Sequence, residues 1–143
     1  MKKGLVLLGM VLILSGCGNK VVVCERKDES LPYKYNRTVE VKFEGKEIYS
    51  FKSTIVEEHP DENSANNSYT VYQNLYNNYN ENSVISEYKK DKLKITAIYN
   101  IDFKDIENKK IEFEFDFTKK KNDFLNDLKD KGFLVTKKVF LIT

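Results

Sequence analysis

Residues 38–56 read TVEVKFEGKEIYSFKSTIV, and this stretch decides the fold. Its first part alternates apolar with charged residues, the period-two pattern of a strand with one buried face. The apolar positions in that part are Val39, Val41 and Phe43. A turn signal follows at Glu44-Gly45-Lys46, and residues 47–56 resume as a strand whose buried face is expected to hold Tyr49, Phe51 and Ile55. The stretch therefore predicts a β-hairpin.

The same alternation returns twice further along the chain. Residues 93–103 predict a long strand with apolar positions at Leu93, Ile95, Ala97, Tyr99, Ile101 and Phe103. Residues 111–117 predict another strand, in which phenylalanines alternate with acidic residues; its expected solvated face holds Glu112, Glu114 and Asp116.

The remaining strands are predicted from shorter patterns. Residues 83–89 are expected to pair with residues 92–100 around a turn at Lys90-Asp91. The run Val21-Val22-Val23-Cys24 predicts the start of a strand, followed by a charged and proline-broken loop over residues 25–32. Residues 133–142 predict the last strand.

Two segments have the spacing of helices. Residues 65–80 carry an apolar stripe at three- and four-residue spacing, formed by Tyr69, Tyr72, Leu75, Tyr76 and Tyr79. Asp61 or Ser64 is the expected N-cap of this helix. The second helix is predicted over residues 118–131, with Gly132 as its stop and an inward face formed by Phe124, Leu125 and Leu128.

The order of these elements indicates the fold class. Strands and helices do not alternate regularly, so a doubly wound parallel sheet is disfavoured. We expect an α+β fold, with a mainly antiparallel sheet and two helices packed on one of its faces. Residues 21–143 are predicted to form this single domain, a length that can bury a core.

The residues before the domain resemble a bacterial lipoprotein leader. Lys2 and Lys3 precede an uncharged apolar stretch over residues 4–14, as in secretory signal peptides. Residues 4–16 would make a helix of only about 20 Å, too short for a ~30 Å hydrocarbon core. The sequence Leu14-Ser15-Gly16-Cys17 resembles a lipobox.

The lipobox resemblance implies a diacylglyceryl thioether on Cys17 and cleavage before it. Residues 1–16 would then be the signal peptide and residues 17–20 a lipidated tether. Stable anchoring takes about two acyl chains, which this group provides. We therefore expect lipid attachment to the outer, extracytoplasmic face of a membrane.

Charge and cysteine content limit the classes of partner expected for the processed chain. Loss of Lys2 and Lys3 would lower the basic count from 24 to 22, equal to the 22 acidic residues. Nothing in this balance drives binding to nucleic acid. With Cys17 lipidated, Cys24 would be the only free thiol, and we expect it to be a small buried apolar residue.

Few residues of the chain are candidates for catalysis, metal binding or ligand binding. The only histidine, His59, is expected to be a solvated loop residue, and one histidine cannot build a histidine-based metal site. We expect no cofactor, no metal and no enzymatic activity. The stripe of Tyr69, Tyr72, Tyr76 and Tyr79 is expected to pack in the core, although exposed tyrosines could instead stack on sugars.

Two further stretches are Ala97-Ile98-Tyr99-Asn100-Ile101-Asp102-Phe103-Lys104-Asp105-Ile106 and, at the end of the second helix, Lys131-Gly132-Phe133. In these stretches the chain resembles the small YehR-like bacterial lipoproteins. The resemblance implies a lipobox leader and a compact α+β domain, and it supplies no functional residue beyond Cys17.

Together these features predict a monomeric, non-enzymatic lipoprotein that binds another component of the cell envelope, a protein or a glycan. Two alternatives stay open. The protein could be an accessory or inhibitor of a neighbouring membrane protein, or it could bind a small ligand or glycan in a pocket.

Overall fold

The computed structural model describes residues 19–81, 84–103 and 114–141. These residues form one antiparallel sheet and two helices, so the predicted α+β class is confirmed. The strands are β1 (Asn19–Asp28), β2 (Lys34–Glu44), β3 (Glu47–Glu58), β4 (Ile85–Asp91), β5 (Lys94–Asp102) and β6 (Leu134–Leu141). The helices are α1 (Glu62–Glu81) and α2 (Lys121–Asp130).

The predicted β2–β3 hairpin lies at the centre of the sheet, whose strand order is β4-β5-β3-β2-β1-β6. Gly45 occupies the turn with φ of +62°, a conformation that glycine adopts without strain. The pairing shifts after Lys42, so that Phe43 lies opposite Ile48. This irregularity changes the phase of β3, and Ile48 is buried where Tyr49 was expected.

Both helices pack on the same face of the sheet, as predicted. Phe51 lies on this inner face and contacts Tyr99 of β5 and Phe124 of α2, with ring centroids 5.9 and 6.0 Å apart. The β5 alternation is confirmed, because Ile95, Ala97, Tyr99, Ile101 and Phe103 are all buried. The turn before β5 holds Lys92-Leu93 instead of Lys90-Asp91, and Lys92 has a positive φ of 56°.

Strand β1 is longer than predicted at both ends. Its residues Glu25–Asp28 pair with Tyr35–Thr38 of β2, so the loop predicted over residues 25–32 is wrong in its first half. The predicted tether also overlaps this strand, because Asn19 and Lys20 already pair with Glu44 and Phe43. Their charge predicts a loop, yet these residues pair in the sheet through their backbone.

The strand predicted over residues 111–117 is wrong in its described part. Residues 114–120 form turns, while residues 111–113 lie outside the described ranges. Phe115 and Phe117 are nevertheless buried, each against Phe51. The alternation therefore reflects side chains that a turn segment inserts into the core.

The helix boundaries differ from prediction by a few residues for identifiable reasons. Helix α1 begins at Glu62 because the Asp61 carboxylate accepts the Ser64 N–H at 2.8 Å, which makes Asp61 the cap. Thr118 donates its N–H and hydroxyl to Asp116, and α2 begins only at Lys121. Gly132 ends α2 as predicted, with φ of +92°.

We expect Gly132→Ala to destabilise the fold more than Gly45→Ala. Both substitutions place a Cβ at a positive φ, which costs about 1–2 kcal/mol. A Cβ on Gly132 would also lie 3.3 Å from Arg26 Cδ, whereas a Cβ on Gly45 would meet no atom within 4 Å. Urea denaturation of both variants tests this order, and equal losses would contradict it.

Candidate functional site

A groove of about 1040 Å³ lies where β1 and β3 end and β2 begins. Leu31, Pro32 and Tyr33 of the β1–β2 loop form one side of it. The sheet contributes further lining residues, including Asn36 of β2 and its pairing partner Val56 of β3. Because the groove lies at the opposite end of β1 from Asn19, we call it the distal groove.

One polar atom of the distal groove has no hydrogen-bond partner among the described residues. Asn36 Oδ1 is buried and accepts no hydrogen bond there. A buried acceptor without a partner costs roughly 1–3 kcal/mol. Asn36 Oδ1 has almost no accessible surface, so a bound molecule that offers an O–H or N–H would recover that free energy only if the amide turned toward the groove. Asn36 is therefore a candidate acceptor for a molecule in the groove.

His59 closes the distal groove and is buried, so the predicted solvated loop residue is wrong. Its Nε2 lies 2.7 Å from Glu57 Oε1, and its Nδ1 lies 2.6 Å from Ser64 Oγ. The other Glu57 oxygen accepts the Tyr72 hydroxyl at 2.6 Å. Tyr33 of the groove stacks on the imidazole, with centroids 4.3 Å apart.

The row Ser64–His59–Glu57 has the residue types of a hydroxyl–imidazole–carboxylate relay, in which Ser64 would be the nucleophile. A serine nucleophile requires N–H donors that stabilise an oxyanion beside it. The Ser64 N–H is instead donated to the Asp61 carboxylate, which also places negative charge there. The geometry thus suits holding the groove wall in place better than acyl transfer.

A second polar cluster lies on the inner face, centred on Arg37. The guanidinium donates to both Glu114 oxygens, at 2.8 and 2.5 Å, and its Nε donates to Ser53 Oγ at 2.9 Å. Tyr99 donates its hydroxyl to Glu114 at 2.6 Å. Glu114 was expected on a solvated face; it instead lies in the turn segment that follows the undescribed residues and pairs with Arg37.

Charge pairing outweighs burial in this cluster. Burial disfavours the charge of Glu114, but the hydrogen bonds and charge of Arg37 hold the Glu114 pKa below its ordinary value. Burial likewise opposes the charge of Arg37, yet the hydrogen bonds with Glu114 raise the Arg37 pKa above its usual range. Both groups are therefore ionised at neutral pH.

In the tyrosine stripe of α1, Tyr76 is buried in the core, Tyr72 and Tyr79 are partly buried against it and Tyr69 is half-buried, so the core interpretation is correct in part. Tyr76 is buried against Tyr79 and Tyr99, with centroids 5.1 and 5.9 Å away. Tyr72 is partly buried and bonded to Glu57, while Tyr69 packs edge-on against Tyr88 of β4. Leu75, the remaining member of the stripe, is 41% exposed.

The other predicted site residues divide into two groups. Leu14, Ser15, Gly16 and Cys17 lie outside the described residues. Cys24 is buried, as expected, and burial raises the pKa of its thiol to about 11. Within the described ranges, His, Cys, Asp and Glu form no group of three that could hold a metal, and neither helix has the length and apolarity of a membrane span.

Comparison with known proteins found no matching family model, no matching curated protein and no matching solved structure. The resemblance to YehR-like lipoproteins therefore stays a prediction.

The sequence carries a signal for both polar clusters, a charged residue at a position where the strand pattern places an apolar one. Arg37 falls in phase with the buried positions Val39 and Val41, and Glu57 falls in phase with Phe51 and Ile55. A charged residue on the apolar phase of a central strand requires buried partners. The distal groove had no comparable signal, because the β1–β2 loop and the strand ends form it only after folding.

We expect Glu114→Gln to lower the free energy of unfolding at pH 7 by about 1–2 kcal/mol. This is the lower part of the range for charged hydrogen bonds, because the Glu114 side chain is 34% exposed. Since folding lowers the Glu114 pKa, its stabilisation is present above the unfolded value of about 4.3 and disappears as pH falls through the folded value.

Urea denaturation from pH 7 to pH 3 measures this effect. The difference between wild type and Glu114→Gln should shrink toward acid pH. In an Arg37→Met background, the same substitution should produce a much smaller pH-dependent difference. A wild-type advantage that stays constant to pH 3 would contradict the assigned ion pair.

Proposed function

We propose that this protein is a lipid-anchored, extracytoplasmic binding protein without enzymatic activity, and that the distal groove binds another component of the cell envelope. The anchor rests on the lipobox-like Leu14-Ser15-Gly16-Cys17. The binding role rests on one observation, the distal groove with Asn36 in its lining, whose buried Oδ1 has no hydrogen-bond partner among the described residues. A ligand group that donates to this oxygen, once the amide turns toward the groove, would complete the site.

The anchor and the distal groove lie at opposite ends of β1. Cys17 precedes β1 by two residues, whereas the groove lining begins with Lys27 and Asp28 at the other end of the strand. Ten residues of extended strand span about 30 Å. The lipid would thus hold one end of the sheet at the bilayer, and the groove would face away from it toward the cell wall or a neighbouring protein.

The lining of the distal groove supports recognition of a partly polar molecule. Leu31, Pro32 and Pro60 provide apolar surface, while Lys34 and Glu58 provide charges of both signs. The aromatic stack of Tyr33 on His59 gives the wall a rigid flat element, and rigid aromatic groups bind with little entropic loss. Glycans and peptides both offer the required hydrogen-bond donors.

We expect Cys17→Ala to abolish lipid attachment. The thioether forms on the cysteine sulfur, so metabolic labelling with a fatty acid should mark the wild-type chain and leave the variant unlabelled. Ser15→Ala keeps a small residue before the cut and serves as the control, which should stay labelled. Undiminished label on the Cys17 variant would refute the anchor.

We expect Asn36→Leu to separate stability from binding. The substitution removes a buried acceptor without a partner, so the free energy of unfolding should stay equal or rise by about 1 kcal/mol. Binding should fall, because the ligand donor loses its acceptor. A photo-crosslinking amino acid at Pro32, introduced in living cells with and without Asn36→Leu, measures this loss.

The crosslinking outcomes are distinct. A discrete adduct from position 32 that weakens with Asn36→Leu supports groove binding by a protein, and a mass ladder removed by a cell-wall hydrolase identifies a glycan. The matched control carries the crosslinker at Asn74, an exposed position of α1. Equal adducts from both positions, or none from position 32, would refute the proposal.

A further inference from the structure

Strand β6 forms one edge of the sheet and pairs with β1 alone among the described residues. An edge strand presents backbone N–H and C=O groups along its outer side, and these can pair with a further strand. A bulge opposite Val23 and Cys24 interrupts the inner pairing at Thr136. Leu134 and Val135 at the start of this edge are 69% and 48% exposed.

A second groove, of about 540 Å³, runs between β6 and α2, and we call it the edge groove. Its apolar lining comes from Leu125 and Leu128 of α2, Phe133, and the exposed pair Leu134 and Val135. An edge strand with a helix alongside, separated by an apolar groove, is the arrangement that accepts an added strand. The strand's backbone pairs with the edge, and its alternate side chains enter the groove.

The charged residues that line the edge groove are of one sign. Lys129 of α2 and Lys138 of β6 line it, and none of the described residues that line it is acidic. Neither lysine is paired with a carboxylate in the described part of the chain. The edge groove should therefore bind an acidic partner strand in preference to a neutral or basic one.

We propose that the edge groove binds an extended segment of a partner protein whose alternate side chains, on the face toward the groove, include both apolar and acidic residues. The segment adds to β6 as a new edge strand through main-chain hydrogen bonds. Its apolar side chains pack on Val135, Leu125 and Leu128, and its carboxylates pair with Lys129 and Lys138. This site is separate from the distal groove and does not depend on the lipid anchor.

The test begins with a display library of random octapeptides, selected on the full-length chain in detergent. We expect the selected peptides to combine apolar and acidic residues at alternate positions, which share the face toward the groove. A synthetic copy of the strongest binder should slow hydrogen exchange at β6 amides. Two further copies carry methyl groups on alternate backbone nitrogens, each on a different alternate set. The copy whose methylated nitrogens would face β6 should bind at least about tenfold more weakly.

Two variants locate the site. Val135→Lys places a charge on the apolar lining and should weaken binding about tenfold, whereas Leu75→Lys, at a similarly exposed apolar position of α1, should leave it unchanged. Lys129→Glu should weaken binding of the acidic peptide and strengthen binding of a copy that carries lysines in place of its acidic residues. This exchange of preference cannot arise from partial unfolding.

Three results would overturn the proposal. The first is selection of no sequence that combines apolar and acidic residues at alternate positions. The second is equal loss of binding in Val135→Lys and Leu75→Lys. The third is a dimer of the protein in light scattering that Val135→Lys returns to a monomer, because the edge groove would then serve a second copy of the chain.

Discussion

A buried charge must find a partner, and the central hairpin places two charged residues on the face that packs against the helices. Arg37 of β2 requires an anion, which the turn segment supplies as Glu114. Glu57 of β3 requires donors, which come from Tyr72 of α1 and from His59 after the strand. Each pairing ties a separate element to the same hairpin.

These pairings work together with aromatic packing. Apolar contacts tolerate some sliding of one element over another, whereas hydrogen-bonded charges accept few arrangements. Phe51 lies against three other phenylalanines, Phe115, Phe117 and Phe124. The Arg37–Glu114 pair fixes where the segment that carries two of these rings sits on the sheet. We infer that burial supplies most of the stability and that the polar clusters select one packing.

Sequence patterns predicted the parts of the fold that repeat with a period. The strands around Val41 and Tyr99 and the stripe around Tyr76 were correct, because each buries one face in a regular rhythm. Prediction failed where tertiary contact overrides the local pattern. The pattern predicts a solvated Glu114, yet Arg37 of β2 pairs with it; it predicts a solvated His59, yet Glu57, Ser64 and Tyr33 enclose this loop residue.

The direct continuity of β1 with the β1–β2 loop has a mechanical consequence. A pull applied between Asn19 and Asp28 runs along the covalent backbone of one extended strand, which has almost no slack. Neighbouring strands β2 and β6 are held to it by lateral hydrogen bonds and carry little of that tension. Force between the two ends of the molecule therefore bypasses the helices and the aromatic core, which stay folded while the strand is stretched.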